Sequence, residues 1–211
     1  MEKGIVGGLQ FAVGSRRKVA AHSSTANCQL PTANRQPPTA NRQLPPMRIL
    51  GIDPGLRLTG YGVIDYKPLR PALIDGGVIR LDEKTPIASR LVELETELIA
   101  LFEEHKPDIC AVEQLYAHYK HPRTAILMGH ARGVILLVAT RRGVRTEEFA
   151  ANRIKQSVVG HGHAGKAQVQ KAIQMLWNLK EKPEPPDVAD ALAVALCCGR
   201  YVGTQRAIKR L

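Results

Sequence analysis

The sequence has few aromatic residues, few cysteines and no long apolar run. Tyr, Phe and Trp together make up only 4% of the 211 residues, so a core must be built from Leu, Ile, Val and Ala. The four cysteines have no pair at the spacing that metal sites use, and we interpret them as reduced thiols of a cytosolic protein. The longest apolar run, residues 133–139, is far shorter than the roughly 20 residues that cross a bilayer. We therefore expect no membrane-spanning segment.

Acidic residues are also scarce relative to basic ones. The chain has 30 Lys and Arg against 19 Asp and Glu, a net charge of +11. Residues 47–211 alone keep 24 basic and 18 acidic side chains, a net charge of +6. Such a balance favours a polyanionic partner, either nucleic acid or a membrane surface.

Residues 1–46 differ in composition from the rest of the chain. Three near-identical heptads rich in Pro, Asn and Gln occupy residues 25–45 and contain no apolar stripe. Because such a segment cannot bury enough surface to offset the entropy of ordering it, we expect an extension without stable structure. Met47 directly precedes the first credible strand, so we expect the authentic protein to start there and its folded domain to span residues 47–211. A signal or transit peptide is the alternative, but residues 16–21 lack a long apolar region.

From Met47 onwards the pattern predicts a mixed α/β fold. Apolar and β-branched segments predict strands near residues 47–53, 59–65, 72–81, 108–113 and 144–149. Between and after them we expect helices, the first with Thr85 as N-cap and a stripe from Ile87 to Leu101, and the others near residues 123–141, 150–159, 166–177 and 187–202. Three strands in a meander followed by alternating helices and strands predict a five-stranded sheet with helices on both faces.

Four carboxylates stand at positions that suggest a common site. Asp53 and Glu113 end the two strands expected to be parallel at the centre of the sheet, where α/β folds place their sites. Asp187 and Asp190 are three residues apart, so they share one side of the last helix. If that helix packs beside the two strands, the four carboxylates meet and need cations, and oxygen-only ligands favour Mg²⁺ or Mn²⁺. Two such ions about 4 Å apart can support phosphodiester hydrolysis.

The same acids also have ordinary structural explanations. Asp187 could serve only as an N-cap, and Asp190 could be a first-turn acid that interacts with the helix dipole. Glu113 could simply be an exposed strand end. The spacing alone leaves both interpretations open.

A set of motifs, in order along the chain, resembles one known family. The motifs are Gly51-Ile52-Asp53-Pro54-Gly55, Thr59-Gly60-Tyr61-Gly62-Val63-Ile64, Glu113-Gln114, Gly129-His130-Ala131-Arg132-Gly133, Lys155-Gln156-Ser157-Val158-Val159-Gly160 and Asp187-Val188-Ala189-Asp190-Ala191-Leu192-Ala193. Together, from Met47 to about Arg200, they resemble the RuvC family of bacterial crossover junction endodeoxyribonucleases. Residues 1–46 have no counterpart in that family.

The resemblance implies a specific fold and activity. It implies a ribonuclease H-like fold and a cytoplasmic homodimer that resolves Holliday junctions by paired symmetrical nicks, leaving 5′-phosphate and 3′-hydroxyl ends. It also implies that Asp53, Glu113, Asp187 and Asp190 bind two Mg²⁺ ions, which Mn²⁺ can replace, and that the RuvA and RuvB branch-migration proteins are partners. The two-fold symmetry of a four-way junction gives a dimer a physical reason. For its interface we expect the helix near 123–141.

Three further residues acquire roles from the resemblance. Lys155 and Lys166 correspond to basic residues near the scissile phosphate, where they would contact the phosphate or stabilise transition-state charge. Tyr116 corresponds to an aromatic residue that stacks on a junction base. Without the resemblance, the lysines would be solvated surface residues and Tyr116 a half-buried loop residue.

Two other motifs suggest different chemistry but are incomplete. Residues 160–166 fit the first seven positions of a P-loop, yet Ala167 replaces the Ser or Thr whose hydroxyl holds Mg²⁺. His161 and His163, like His118 and His121, could suggest zinc, but no cysteine or third histidine nearby completes a tetrahedral set. We therefore expect neither nucleotide hydrolysis nor a zinc site. A non-catalytic junction-binding protein and another ribonuclease H-like nuclease remain the alternatives.

Overall fold

The computed structural model describes residues 45–115 and 122–209, and its central element is a single five-stranded sheet. The strands are β1 (Met47–Asp53), β2 (Leu58–Tyr66), β3 (Ala72–Arg80), β4 (Ile109–Glu113) and β5 (Arg145–Phe149). The helices are α1 (Ile87–His105), α2 (Pro122–Arg141), α3 (Ala151–Val159), α4 (Lys166–Leu176) and α5 (Pro186–Ile208). The prediction of an unstructured repeat in residues 25–45 lies almost wholly outside the described residues and stays a prediction.

The sheet has the expected mixed topology. Its strand order is β3-β2-β1-β4-β5. The first three strands are antiparallel neighbours, and β4 lies parallel to both β1 and β5. The two strands that end on Asp53 and Glu113 are therefore adjacent and parallel, as the sequence predicts.

Two predicted helix ends were wrong. The N-cap of α1 is Pro86 and not Thr85, whose hydroxyl instead donates to the carbonyl oxygen of Asp82 at 2.8 Å. The last helix was expected to stop at Val202 but continues to Ile208. No proline interrupts residues 203–208, and Gly203 lets the helix continue beside the ring of Tyr66, so nothing ends it earlier.

The alternation of side chains along the strands divides the core into two clusters. We call the side covered by α3, α4 and α5 the α5 face, and the side covered by α1 and α2 the α1–α2 face. In β1, Ile49 belongs to the cluster of the α5 face, whereas Leu50 and Ile52 belong to that of the α1–α2 face. Because successive side chains of a strand point to opposite sides, residues 49, 51 and 53 all lie on the α5 face.

Helix α5 packs unusually close to the sheet. A Cβ atom built on Gly51 would lie 2.3 Å from the carbonyl oxygen of Ala191 and 2.5 Å from the nitrogen of Ala195. Non-bonded atoms do not approach so closely, so only glycine fits at this position. The α5 backbone therefore rests directly on β1.

Helix α2, which the sequence predicted near residues 123–141, is more apolar than its longest unbroken apolar run indicates. Residues Arg123–Arg141 have a mean hydropathy of 1.2 and are long and apolar enough, by length and composition only, to cross a membrane. Small and polar residues interrupt the apolar ones along this helix, so no long unbroken run marks it in the sequence. Ala131, Ile135, Val138 and Ala139 of this helix are buried in the core of the α1–α2 face.

Candidate active site

The strands bring Asp53 and Glu113 to the same edge and the same face of the sheet. Ile52 of β1 pairs with Val112 of β4, and each acid is the next residue along its strand. Ile109 and Ala111 of β4 belong to the cluster of the α5 face, so the alternation places Glu113 on that face as well. Both carboxylates therefore project towards α5.

The start of α5 brings Asp187 and Asp190 to this edge. The N-cap is Pro185 and the first helical residue is Pro186, which places Asp187 in the first turn. A Cβ atom on Gly60, the partner of Asp53 in β2, would lie 2.2 Å from the carbonyl oxygen of Asp187. The helix thus begins directly over the C-terminal end of β1 and the N-terminal part of β2. Asp187 is therefore not the N-cap of this helix, which was the alternative, purely structural role considered for it.

All four carboxylates line one open cavity of about 680 Å³ at this end of the sheet. The turn after β1, the first residues of α1 and α2, and parts of α3 and α4 complete its wall. Lys155 and Lys166 also line it. The structure therefore gathers six of the seven residues predicted from the sequence around a single cavity.

The acids of this cavity disfavour one another's ionisation. Burial, then the charges of Glu113, Asp190 and Asp187, raise the pKa of Asp53 to about 8. Burial and the charge of Asp190 raise the pKa of Glu113, and burial is also the main cause of the raised pKa of Asp190. A cluster whose members resist ionisation will gain free energy when cations bind between them.

The donor set fits a hard divalent cation. It consists of carboxylate oxygens, which suit Mg²⁺ or Mn²⁺. Among the residues that the structure describes, no group of three or more His, Cys, Asp or Glu side chains converges closely enough to form a finished metal site.

The two lysines supply the positive charge on the α5 side of the cavity. Lys166 opens α4, and its Nζ atom lies 3.6 Å from Oδ2 of Asp190. The start of this helix is held by Gln168, whose side-chain oxygen accepts a hydrogen bond from the backbone N–H of Gly165 at 2.8 Å. Lys155 lies on α3, and its charge partly offsets the raised pKa of both Glu113 and Asp190. Both lysines therefore place positive charge beside the carboxylate cluster, and the Lys166 side chain is 74% exposed.

The remaining sequence motifs do not join this site. Helix α3, rather than a strand, precedes the loop 160–165, so the local structure is not that of a P-loop. His161 and His163 belong to no metal-binding group among the described residues. Tyr116, His118 and His121 lie outside the described residues, and the stacking role of Tyr116 stays a prediction.

The cavity also contains residues that the sequence analysis missed. Arg57 and Arg90 line it from the turn after β1 and from α1, and Gln114 lines it beside Glu113. A signal for Arg90 was present in the sequence. It lies four residues before Leu94 and therefore on the inward side of α1, where an arginine needs a partner or a function.

Comparison with known proteins decides the family. The sequence profile described as "Crossover junction endodeoxyribonuclease RuvC" matches residues 49–198. The chain belongs to the RuvC family. It is 49% identical to the RuvC of Rhodopirellula baltica over 154 residues, which cover 73% of this chain and 86% of that protein. It is 42% identical to the RuvC of Pelotomaculum thermopropionicum over 163 residues, which cover 77% of this chain and 99% of that protein.

A solved RuvC structure has the same architecture. The Thermus thermophilus RuvC, solved in complex with a Holliday junction substrate, superimposes with a TM-score of 0.71 at 31% identity. The match covers 75% of this chain and 96% of that one. The ribonuclease H-like fold implied by the RuvC motifs is thereby confirmed, and the RuvC relatives named here are bacterial proteins.

Proposed function

We propose that this RuvC-family endonuclease resolves Holliday junctions by paired symmetrical nicks, with Mg²⁺ as cofactor, leaving 5′-phosphate and 3′-hydroxyl ends. One observation carries the proposal: four carboxylates from β1, β4 and α5 line the same cavity as two lysines. The net positive charge of the domain suits a DNA substrate. The RuvC relatives described above support the choice of a junction as substrate.

Asp53, Glu113, Asp187 and Asp190 would hold two Mg²⁺ ions, which Mn²⁺ can replace. When bound, such ions activate a water molecule and stabilise the leaving oxygen of a phosphodiester. The raised pKa of Asp53, Glu113 and Asp190 fits this assignment, because ionised carboxylates crowded in a partly buried cavity are destabilised and bound cations would offset that cost. Each acid would lose its proton on binding the metal, so binding should strengthen as the pH rises.

The lysines would bind the DNA strand at the cut site. Lys166 contacts Asp190 in the structure described here, and cations between the acids would weaken that ion pair and release its ammonium group. Its three N–H donors could then bind a phosphate oxygen. Lys155 would contribute a second charge from α3. Tyr116 would stack on an unpaired base at the branch point.

A homodimer would place two such sites on the two equivalent strands of a junction. The outer side of α2 supports this part of the proposal. Ile126, the open Gly133 and Leu137 are spaced by seven and by four residues, so they lie along one exposed stripe where a second helix could pack. We expect Leu137→Glu to give a monomer in sedimentation experiments, whereas Met175→Glu, at an exposed position on α4, should leave the dimer intact.

We also propose bounds for the nuclease domain, a cellular compartment and protein partners. The nuclease domain would be residues 47–211, so deletion of residues 2–46 should leave cleavage unchanged. The enzyme would act in the bacterial cytoplasm together with the RuvA and RuvB branch-migration proteins, as the family resemblance suggests.

The direct test is cleavage of a labelled synthetic four-way junction, with linear duplex and an RNA–DNA hybrid as competing substrates. The intact protein should cut opposite arms of the junction with Mg²⁺ and not with a chelator. Asp53→Asn should abolish cleavage and leave junction binding unchanged or tighter, because a negative charge facing phosphate is removed.

A matched control separates the site from general effects of losing a carboxylate. Asp75→Asn changes an acid of the edge strand β3, outside the cavity, and should cut at the normal rate. Cleavage of the hybrid in preference to the junction would favour a different ribonuclease H-like nuclease. Tight junction binding without cuts under any metal would leave a binding protein.

A further inference from the structure

Arg90 occupies an unusual position in the fold. It lies in the first turn of α1 on the inward side of the helix, next to the buried stripe that includes Leu94 and Leu98. The side chain is partly buried and lines the carboxylate cavity, which it reaches from the α1–α2 face. Lys155 and Lys166 reach the same cavity from the α5 face. The acids are thus flanked by cations from both sides of the sheet.

The hydrogen bonds of Arg90 leave much of its guanidinium group available. Its Nη1 atom donates to the carbonyl oxygen of Leu56 at 3.3 Å, in the turn that follows Asp53. Its Nε atom is buried and has no hydrogen-bond partner among the described residues. No ion pair of Arg90 occurs in residues 45–115 and 122–209, and the sequence of residues 116–121 contains no acid.

A buried donor without an acceptor needs an explanation, because nearly all buried polar groups are hydrogen-bonded. A guanidinium group matches a phosphate particularly well, since its planar donors can bind two oxygens at once. The contact with Leu56 anchors one edge of the group, Nε has no accessible surface, and Nη2, which donates to none of the described residues, is left for a ligand. Arg57 differs from Arg90 because an acid already faces it: its Nε atom lies 3.9 Å from Oε1 of Glu83.

We propose that Arg90 binds a phosphate of the DNA strand being cut, on the side of the cavity opposite Lys155 and Lys166. This inference rests on the proposed junction endonuclease function. With phosphates held on both sides of the carboxylates, the scissile bond would be fixed over the metal ligands. Arg90 would be a substrate-positioning residue, aimed by its bond to Leu56.

The test is binding of a labelled four-way junction by the full chain in chelator, where no cutting occurs, over a series of salt concentrations. Arg90→Gln should raise Kd about tenfold and lower the slope of log Kd against log salt by about one, the value for one lost phosphate contact. Arg90→Lys keeps the charge and should keep most of the slope. The control is Arg70→Gln, an exposed arginine in the turn between β2 and β3, at the far end of the sheet from Asp53.

Neutral methylphosphonate groups placed singly along the cut strand then identify the contact. Wild-type protein should lose affinity when the phosphate beside the cut site is neutral, and Arg90→Gln should be insensitive to that change alone. If circular dichroism shows that Arg90→Gln is unfolded, Arg90→Lys provides the test instead. Its single ammonium group should make binding less sensitive than in the wild type to neutralisation of the same phosphate.

Two results would overturn the proposal, and they are distinguishable. If the Arg90 variants lower only the melting temperature, with the salt slope and phosphate sensitivities of the wild type, Arg90 is a structural brace and the endonuclease proposal stands. If the wild type neither binds nor cuts the junction, the proposed function fails and the role of Arg90 fails with it.

Discussion

The two faces of the sheet are packed by different means. On the α5 face, small residues allow backbone to meet backbone: Gly51 lies under Ala191 and Ala195, and Gly60 lies under Asp187. On the α1–α2 face, large side chains such as Leu94, Leu98 and Phe102 fill the space between the sheet and the helices. The four carboxylates of the cavity all lie on the closely packed face. Close packing fixes positions, whereas large side chains mainly contribute buried apolar area.

The difference has a physical cause in the period of two along β1. The strand alternates between Ile49, Gly51 and Asp53 on one face and Leu50 and Ile52 on the other. One strand can therefore present an acid of the cavity and a contact surface for α5 on one side, and ordinary core residues on the other. We expect substitutions on the two faces to separate geometry from stability.

The largest effect should come from Gly51→Val. The new side chain would collide with the α5 backbone, which cannot retreat without moving Asp187 and Asp190. We expect a loss of more than about 3 kcal/mol in the free energy of unfolding, together with loss of cleavage in whatever protein remains folded. Urea unfolding and junction cleavage measure the two effects. Normal cleavage by a folded Gly51→Val protein would show that the close seat of α5 is not required.

Leu98→Ala should instead lower stability without changing the site. Leu98 is fully buried on the α1–α2 face, and a Leu→Ala change in a core costs about 2 to 5 kcal/mol. At a temperature where the variant is folded, its cleavage rate with saturating Mg²⁺ should match that of the wild type. A slowed rate in fully folded protein would mean that the two faces are not separable in this way.

The smallest of these effects should be a gain in stability from Asp53→Asn without metal. An acid whose pKa is about 8 in the folded protein and 3.8 as a free side chain opposes folding increasingly as the pH rises from 4 to 8. Asparagine carries no such penalty. In chelator, the variant should be about 1 to 3 kcal/mol more stable than the wild type at pH 8 and nearly equal at pH 4. A constant difference across this range would contradict the raised pKa.

Much of this arrangement could be predicted from the sequence because it depends on local periodicity. The alternation of β1 and β4 and the i, i+3 spacing of Asp187 and Asp190 both act within a few residues. The predicted strands agree with the structure within one or two residues. The parallel pairing of β1 with β4 followed from the intervening helix.

The rest depends on contacts between distant segments, which a single sequence does not specify. Arg90 and Leu56 are 34 residues apart in the sequence. Arg90 reaches the turn after Asp53 only because α1 packs against that turn. The continuation of α5 to Ile208 depends on how Gly203 meets Tyr66 across the core. The N-cap of α1 was misassigned for a local reason instead: the hydroxyl of Thr85 donates to the carbonyl oxygen of Asp82 in the preceding turn and does not cap the helix.

Acids from β1 and from α5 are proposed to form one metal site. Calorimetric titration of the protein with Mn²⁺ tests this most directly. Wild type and Asp75→Asn should bind Mn²⁺ alike, whereas Asp53→Asn on β1 and Asp190→Asn on α5 should each weaken binding at least tenfold. If Asp190→Asn bound Mn²⁺ as tightly as the wild type, or if the wild type bound none, the four carboxylates would not constitute the site.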